Sequence, residues 1–106
     1  MPNPRVLLLE DNPDEATLAE SALRLAGAEI VSAPERAQLA VLGRKALGEY
    51  RGKLAIPAVA IVSGPTEAER RRAREHGVRA VFERPGNWRD YAALLERVVA
   101  EATRTD

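Results

Sequence analysis

An α/β domain built on a doubly wound parallel sheet is the fold class this sequence predicts, and three observations predict it. Short apolar runs, RVLLL (5–9), AEIVSA (28–33), IPAVAIVSG (56–64) and VRAVFERP (78–85), alternate with stretches of helical periodicity. The helical stretches open on capping residues, and two of them close on glycine. The first run is apolar at consecutive positions, as a strand covered on both faces requires. A β-α-β-α order of this kind implies a parallel sheet with helices on both sides.

Each element has its own local reason. After strand 5–9, Asn12 is placed to cap a helix, with Pro13 at its first position and Glu15 three residues beyond the cap, an asparagine version of the capping box. Leu18, Ala22 and Leu25 share one face of that helix, Ala19, Leu23 and Ala26 lie beside them, and Gly27 supplies the left-handed stop. AEIVSA is the second strand. IPAVAIVSG is the third and ends at Ser63-Gly64. Thr66 and Glu69 form a further capping box, opening a helix that Gly77 closes. That helix has only Ala68 and Ala73 as apolar residues and is expected to be largely exposed. VRAVFERP is the last strand. Asn87 with Asp90 then caps a final helix whose apolar face is Tyr91, Leu94, Leu95, Val98 and Ala102.

The segment 34–54 supports two readings. As one helix from Pro34 it is apolar along Leu39, Leu42, Ala46 and Tyr50, although Gly43 and Gly48 inside it would each cost about 1 kcal/mol relative to alanine. As an alternative, QLAVL (38–42) is a short strand ending at Gly43. We take the helix. The sheet then has four strands, or five if QLAVL pairs.

Composition narrows the class. At 106 residues the chain makes one domain, taken as 1–106, with a single core. Sixteen basic and sixteen acidic side chains leave no net charge that would point to nucleic acid or a membrane surface. Residues 1–33 carry two basic and six acidic side chains, so the first third is acidic and the rest basic. Cysteine is absent, which excludes disulfides and thiolate metal sites and suits a cytoplasmic protein. The longest apolar run is too short for a signal peptide core or a membrane span.

In doubly wound sheets, ligands bind at the carboxyl ends of the strands. Those ends carry Glu10-Asp11, Ser63-Gly64 and Arg84-Pro85. Acidic pair, small hydroxyl, and base before proline, in that order, resemble the receiver (CheY-like) domain of two-component response regulators across residues 5–100. VLLLEDNPDEATLAESALRLAG resembles that family's opening, IPAVAIVSG its hydroxyl-bearing strand and HGVRAVFERP the strand ending in Lys-Pro. The resemblance implies a flavodoxin-like three-layer sandwich. It further implies magnesium at Glu10 and Asp11, a phosphoryl contact from Ser63, a phosphoryl-bridging cation at Arg84 and a peptide bond before Pro85 that is commonly cis.

The sequence also departs from that family. Its aspartates are Asp11, Asp14, Asp90 and Asp106, so none lies where the central strand would present the phosphate acceptor. If QLAVL is that strand, Gly43 stands in the acceptor's place. The region before IPAVAIVSG is short by about one βα unit. Arginine replaces lysine at 84, and the position of the switch aromatic is Val81, with Phe82 one step along and facing the other way.

The expectation is therefore a degenerate receiver: a phosphorylation-independent interaction module of two-component-type signalling, not an enzyme. Glu10, Asp11, Ser63 and Arg84 would form a vestigial phosphoryl pocket, with Arg84 bridging to Asp11. Glu10 and Asp11 would bind magnesium weakly or not at all, and no other cofactor is expected. Arg71, Arg74, Trp88 and Tyr91 would lie on the interaction face, for a signalling protein or a second copy. Two other classes remain open. One is a receiver phosphorylated on an unconventional acceptor. The other is a nucleic-acid accessory using the arginine-rich helix 66–76, although interleaved glutamates and the lack of stacking aromatics favour a solvated helix there.

Overall fold

The computed structural model describes residues 3–102, so both ends of the expected 1–106 domain, and Asp106, lie outside the described residues. The chain runs β1 (Arg5–Leu9), α1 (Pro13–Leu25), β2 (Glu29–Val31), β3 (Leu39–Leu42), α2 (Arg44–Glu49), β4 (Ala58–Val62), α3 (Glu67–Glu75), β5 (Ala80–Glu83) and α4 (Trp88–Ala102). The five strands form one sheet in the order β2-β1-β3-β4-β5, every pair parallel. This is the flavodoxin-like α/β order.

The single helix expected over 34–54 does not form. Leu39–Leu42, within the alternative QLAVL run, supplies the central strand instead, and all four residues are buried. The helical spacing of Leu39 and Leu42 competes with a four-residue run that is apolar throughout. The run pairs with β1 on one side and β4 on the other, so both its faces and both its edges are covered. Gly43 then precedes α2, which keeps Ala46 of the expected stripe and buries Leu47, outside that stripe, in the core.

The supposed loss of a whole βα unit is also corrected: only one crossover helix is reduced. Between β2 and β3 the chain makes a three-residue 3₁₀ turn at Pro34–Arg36, flanked by extended Ala33 and Ala37. The register explains why so little chain suffices. Ile30 and Leu39 both lie opposite Val6, so the connection backs up about one residue and sidesteps two strand spacings, ~10 Å in all. A helix is not needed to cover that distance.

Alternate strand residues feed two unequal cores. Val6, Leu39, Val41, Val59 and Ile61 face α1 and α4, where Leu23, Leu94, Leu95 and Val98 complete a large-residue cluster. Leu7, Ala40, Leu42, Ala58 and Ala60 face α2 and α3, where Leu47, Ala73 and the turn residue Ala37 join them. Most of the hydrophobic volume is therefore on the α1/α4 side. The α2/α3 side is thin because alanine lines it.

Caps set the helix limits as the sequence implies. The Asn12 side chain accepts from the amides of Asp14 and Glu15, Thr66 and Glu69 make the reciprocal box, and Gly27 and Gly77 take positive φ after α1 and α3. Among the described residues no helix is long and apolar enough to cross a membrane.

This core distribution gives a stability test. Leu23→Ala, at a fully buried position, is expected to cost about 2–5 kcal/mol, whereas Leu25→Ala, at 71 % exposure, should stay within about 0.5 kcal/mol. Urea unfolding midpoints of the two variants measure the difference, and similar midpoints would contradict the placement of the core.

Candidate functional site

The carboxyl edge of the sheet opens into a cleft of about 400 Å³ between the ends of β1, β4 and β5. Its walls include Glu10, Asp11, Ser63 and Arg84, so the topology brings the four expected pocket residues together. Their pairings differ from those expected.

Gly43 follows β3 beside the end of β1, its amide donating to the Leu9 carbonyl at 2.9 Å. The Glu10 carboxylate lies directly against this glycine, in the space a Cβ at position 43 would occupy. The same carboxylate accepts from the Asn12 amide at 3.2 Å. Glu10, from before the cap, thus accepts the Asn12 amide that a capping box would assign to Glu15. Asp11 stays exposed at the rim.

Glu15, relieved of that contact, takes Arg84. Nη1 of Arg84 donates to Glu15 Oε1 at 2.7 Å, with both side chains about a third exposed or less. The expected Arg84–Asp11 bridge is therefore replaced by an Arg84–Glu15 bridge that joins the end of β5 to α1. The guanidinium carbon also lies 5.4 Å from the Tyr91 ring centroid, a cation–π distance. Arg84 Nε is buried without an acceptor. The peptide before Pro85 is trans, unlike the bond common in the resembled family.

Arg44 was missed. In the one-helix reading it sits in mid-helix with no distinctive role, but as the residue after a strand-ending glycine it reaches across the cleft's mouth. Its Nε donates to Glu69 Oε2 at 2.7 Å, and its Nη2 donates to the carbonyl of Ser63 at 2.5 Å and that of Gly64 at 3.3 Å. One guanidinium thus fastens the β4–α3 loop to the start of α2. The signal in the sequence was an arginine after Gly43 together with the capping-box carboxylate of Glu69.

Electrostatics follow these contacts. The Arg44 hydrogen bond, with the Thr66 backbone amide second, holds the Glu69 carboxyl below its ordinary range, and Glu69 in turn raises Arg44. Burial pushes the Tyr91 hydroxyl up to about 12, while Arg84 pulls in the other direction.

The expected interaction face is only partly a surface. Arg71 and Arg74 are exposed on α3, and Trp88 is 44 % exposed at the start of α4. Tyr91 is corrected to a core position: it is 5 % exposed, with its ring edge-on to Trp88 at 6.3 Å. Val81 packs on the α2/α3 side and Phe82 on the α1/α4 side, as their alternation requires.

No protein-family model matches the sequence, and no curated protein matches it significantly. Solved structures share the fold. The phosphorylated cyanobacterial phytochrome response regulator RcpA superposes with a TM-score of 0.73 at 16% identity, with 98% of each chain covered. A CheY-like response regulator receiver domain protein from Methanospirillum hungatei JF-1 gives 0.66 at 14% identity, covering 95% of this chain and 97% of its own. An orphan response regulator of H. pylori gives 0.65 at 24% identity, covering 93% and 96%. The chain therefore has the fold of CheY-like receiver domains over nearly their whole length.

The Arg44 clamp yields a prediction with a definite sign. Because the folded-state pKa of Glu69 is depressed, its contribution is present above the ordinary glutamate value and is lost as pH falls through the lowered one. Both partners meet solvent, so Arg44→Ala should leave the global unfolding midpoint nearly unchanged. Hydrogen exchange in the 63–66 loop should nevertheless accelerate several-fold, and Glu69→Gln should flatten the acid limb of stability. Unchanged loop exchange in Arg44→Ala would show that the loop holds itself.

Proposed function

We propose that the protein is a pseudo-receiver: a phosphorylation-independent interaction module of two-component-type signalling, acting in the cytoplasm and without enzymatic activity. One observation carries the reading. At the end of the central strand, where a phosphate acceptor would project, Gly43 has no side chain and the Glu10 carboxylate fills the space beside it. Aspartyl transfer needs an in-line carboxylate nucleophile, a metal to neutralise the phosphoryl oxygens and a cation facing them. Here the nucleophile's position is glycine, and the Arg84 cation is held by Glu15.

Magnesium does not fit the donors that face the cleft. A hard divalent cation favours about six oxygen ligands. Glu10 is turned onto Gly43 and the Asn12 amide, which leaves Asp11 as the outward carboxylate of the pair. Among the described residues no group of three acidic, histidine or cysteine side chains converges.

The nucleic-acid reading loses support from the state of the arginines. Arg70 donates to the Val81 carbonyl, Arg74 pairs with Glu67 at 3.5 Å, and two guanidinium nitrogens of Arg72 are buried. Arg71 faces solvent, but a continuous stripe for phosphates is not presented. The exposed face of α3 instead mixes Arg71 and Arg74 with Glu67 and Glu75, which favours salt-sensitive pairing with a protein or a second copy across the α3–β5–α4 side.

Incubation with acetyl phosphate and magnesium, followed by intact-mass analysis, is expected to show no phosphate adduct. A base-labile adduct mapped to Asp11 would transfer the reading to a receiver with an unconventional acceptor. Charge reversal by Arg71→Glu or Arg74→Glu is expected to weaken association in light scattering or partner titration while leaving the circular dichroism spectrum intact. Unchanged association in both variants would move the interface away from α3.

A further inference from the structure

On one side of the sheet α2 packs chiefly on β3 and β4 and α3 on β5, while the β2–β3 connection contributes only a 3₁₀ turn. This leaves a groove of about 590 Å³ beside the end of β1. Its apolar lining includes Leu8, Leu9, Ala46, Tyr50 and Leu54, and Leu9 is 37 % exposed. Charge is ordered along it. Glu10 and Asp11 stand at the carboxyl edge of the sheet, and Arg51 and Lys53 stand in the connection that follows α2 toward the start of β4. Lys45 and Glu49, one turn apart on α2, offset each other between the two ends.

We propose that this groove binds an amphipathic helix of a partner protein, laid antiparallel to the strands, with a basic first turn at Glu10 and Asp11 and an acidic last turn at Arg51 and Lys53. Crossover helices on a parallel sheet run antiparallel to its strands, and here that direction matches both charged ends. The helix dipole adds in the same sense, since its positive N-terminus meets the carboxylates and its negative C-terminus meets the bases. The lining is narrow enough for one stripe of apolar side chains at helical spacing. A second copy is a poor occupant. Of the described helices α1 exposes two large apolar residues, Leu18 and Leu25, whereas α4 exposes Trp88 by itself at its first position; but the first turn of α1 carries Asp14 and Glu15 and its last turn Arg24. Docked in the same direction, it would set acid against acid.

The proposal rests on the interaction-module reading, yet it fails separately, because groove occupancy is measured without any phosphodonor. The probe is a pair of alanine-based peptides of about fourteen residues, ~21 Å long as helices. Both are stapled on the outer face, with leucines at i, i+4 and i+7 inward. One has lysines in the first turn and glutamates in the last, and the other has these reversed. Titrated into the isotopically labelled protein, the first peptide should shift the amide signals of Leu9, Tyr50 and Leu54. Its affinity should exceed that of the reversed peptide by about tenfold. The exposed double variant Arg51→Glu/Lys53→Glu should abolish or invert that preference while keeping a folded spectrum, and Leu9→Asp should lose both peptides. Equal affinities, no binding by either peptide at millimolar concentration, or shifts confined to other surfaces would each overturn the proposal. Concentration-dependent shifts of the groove signals without peptide would assign the groove to a second copy and overturn it as well.

Discussion

The Glu10 carboxylate rests in the space that a Cβ at position 43 would occupy, and the contacts at the carboxyl edge of the domain are arranged around that placement. With Gly43 in place, the Glu10 carboxylate turns inward and accepts from the Asn12 amide, so Glu15 is left without the capping contact and reaches Arg84. Arg84 in turn lies over Tyr91 and ties β5 to α1 and α4. A carboxylate, a salt bridge and an aromatic contact thus run in series from Gly43 to Tyr91 along the carboxyl edge.

Much of the fold was legible because it is coded by short-range chemistry. Asn12 with Pro13, Thr66 with Glu69, and the glycines after α1 and α3 fix helix ends through backbone hydrogen bonds that neighbours in sequence can satisfy. The central strand was not legible in the same way. Leu39 and Leu42 are three apart, so the run fits a helix stripe as well as a strand, and only pairing to β1 and β4, remote in sequence, decides between them. Arg44 was hidden by the same ambiguity. The site residues Glu10, Asp11, Ser63 and Arg84 were legible as a group because strand ends converge in this topology. Their partners were not, since Glu10 and Glu15 can each cap the same helix and only the space at Gly43 distinguishes them.

The two cores divide the work unevenly. Leucine, valine and tyrosine on the α1/α4 side carry most of the apolar volume, at about 25 cal/mol per Å² removed from water. Alanines on the other side bring α2 and α3 close to the sheet but bury little. The α3 helix compensates with polar fastenings: a capping box, the Arg44–Glu69 pair and the Arg70 bond to Val81. These directional contacts hold position more than they add stability, and they sit beside the edge where a receiver-type fold would carry its ligand.

The brief connection between β2 and β3 also has a meaning for chain entropy. Closing a loop costs about (3/2)RT ln n, so seven residues in place of about twenty spare the domain roughly 1 kcal/mol. That is less than one well-buried leucine on a covering helix would contribute. The balance is shallow in the other direction too, because each doubling of length adds only about 0.6 kcal/mol. The register of β3 is set by its ladders with β1 and β4 rather than by this connection. Residues 32–38 are therefore a place where the chain can lengthen without disturbing Gly43, and where sequence length is a poor guide to how much of the fold is present.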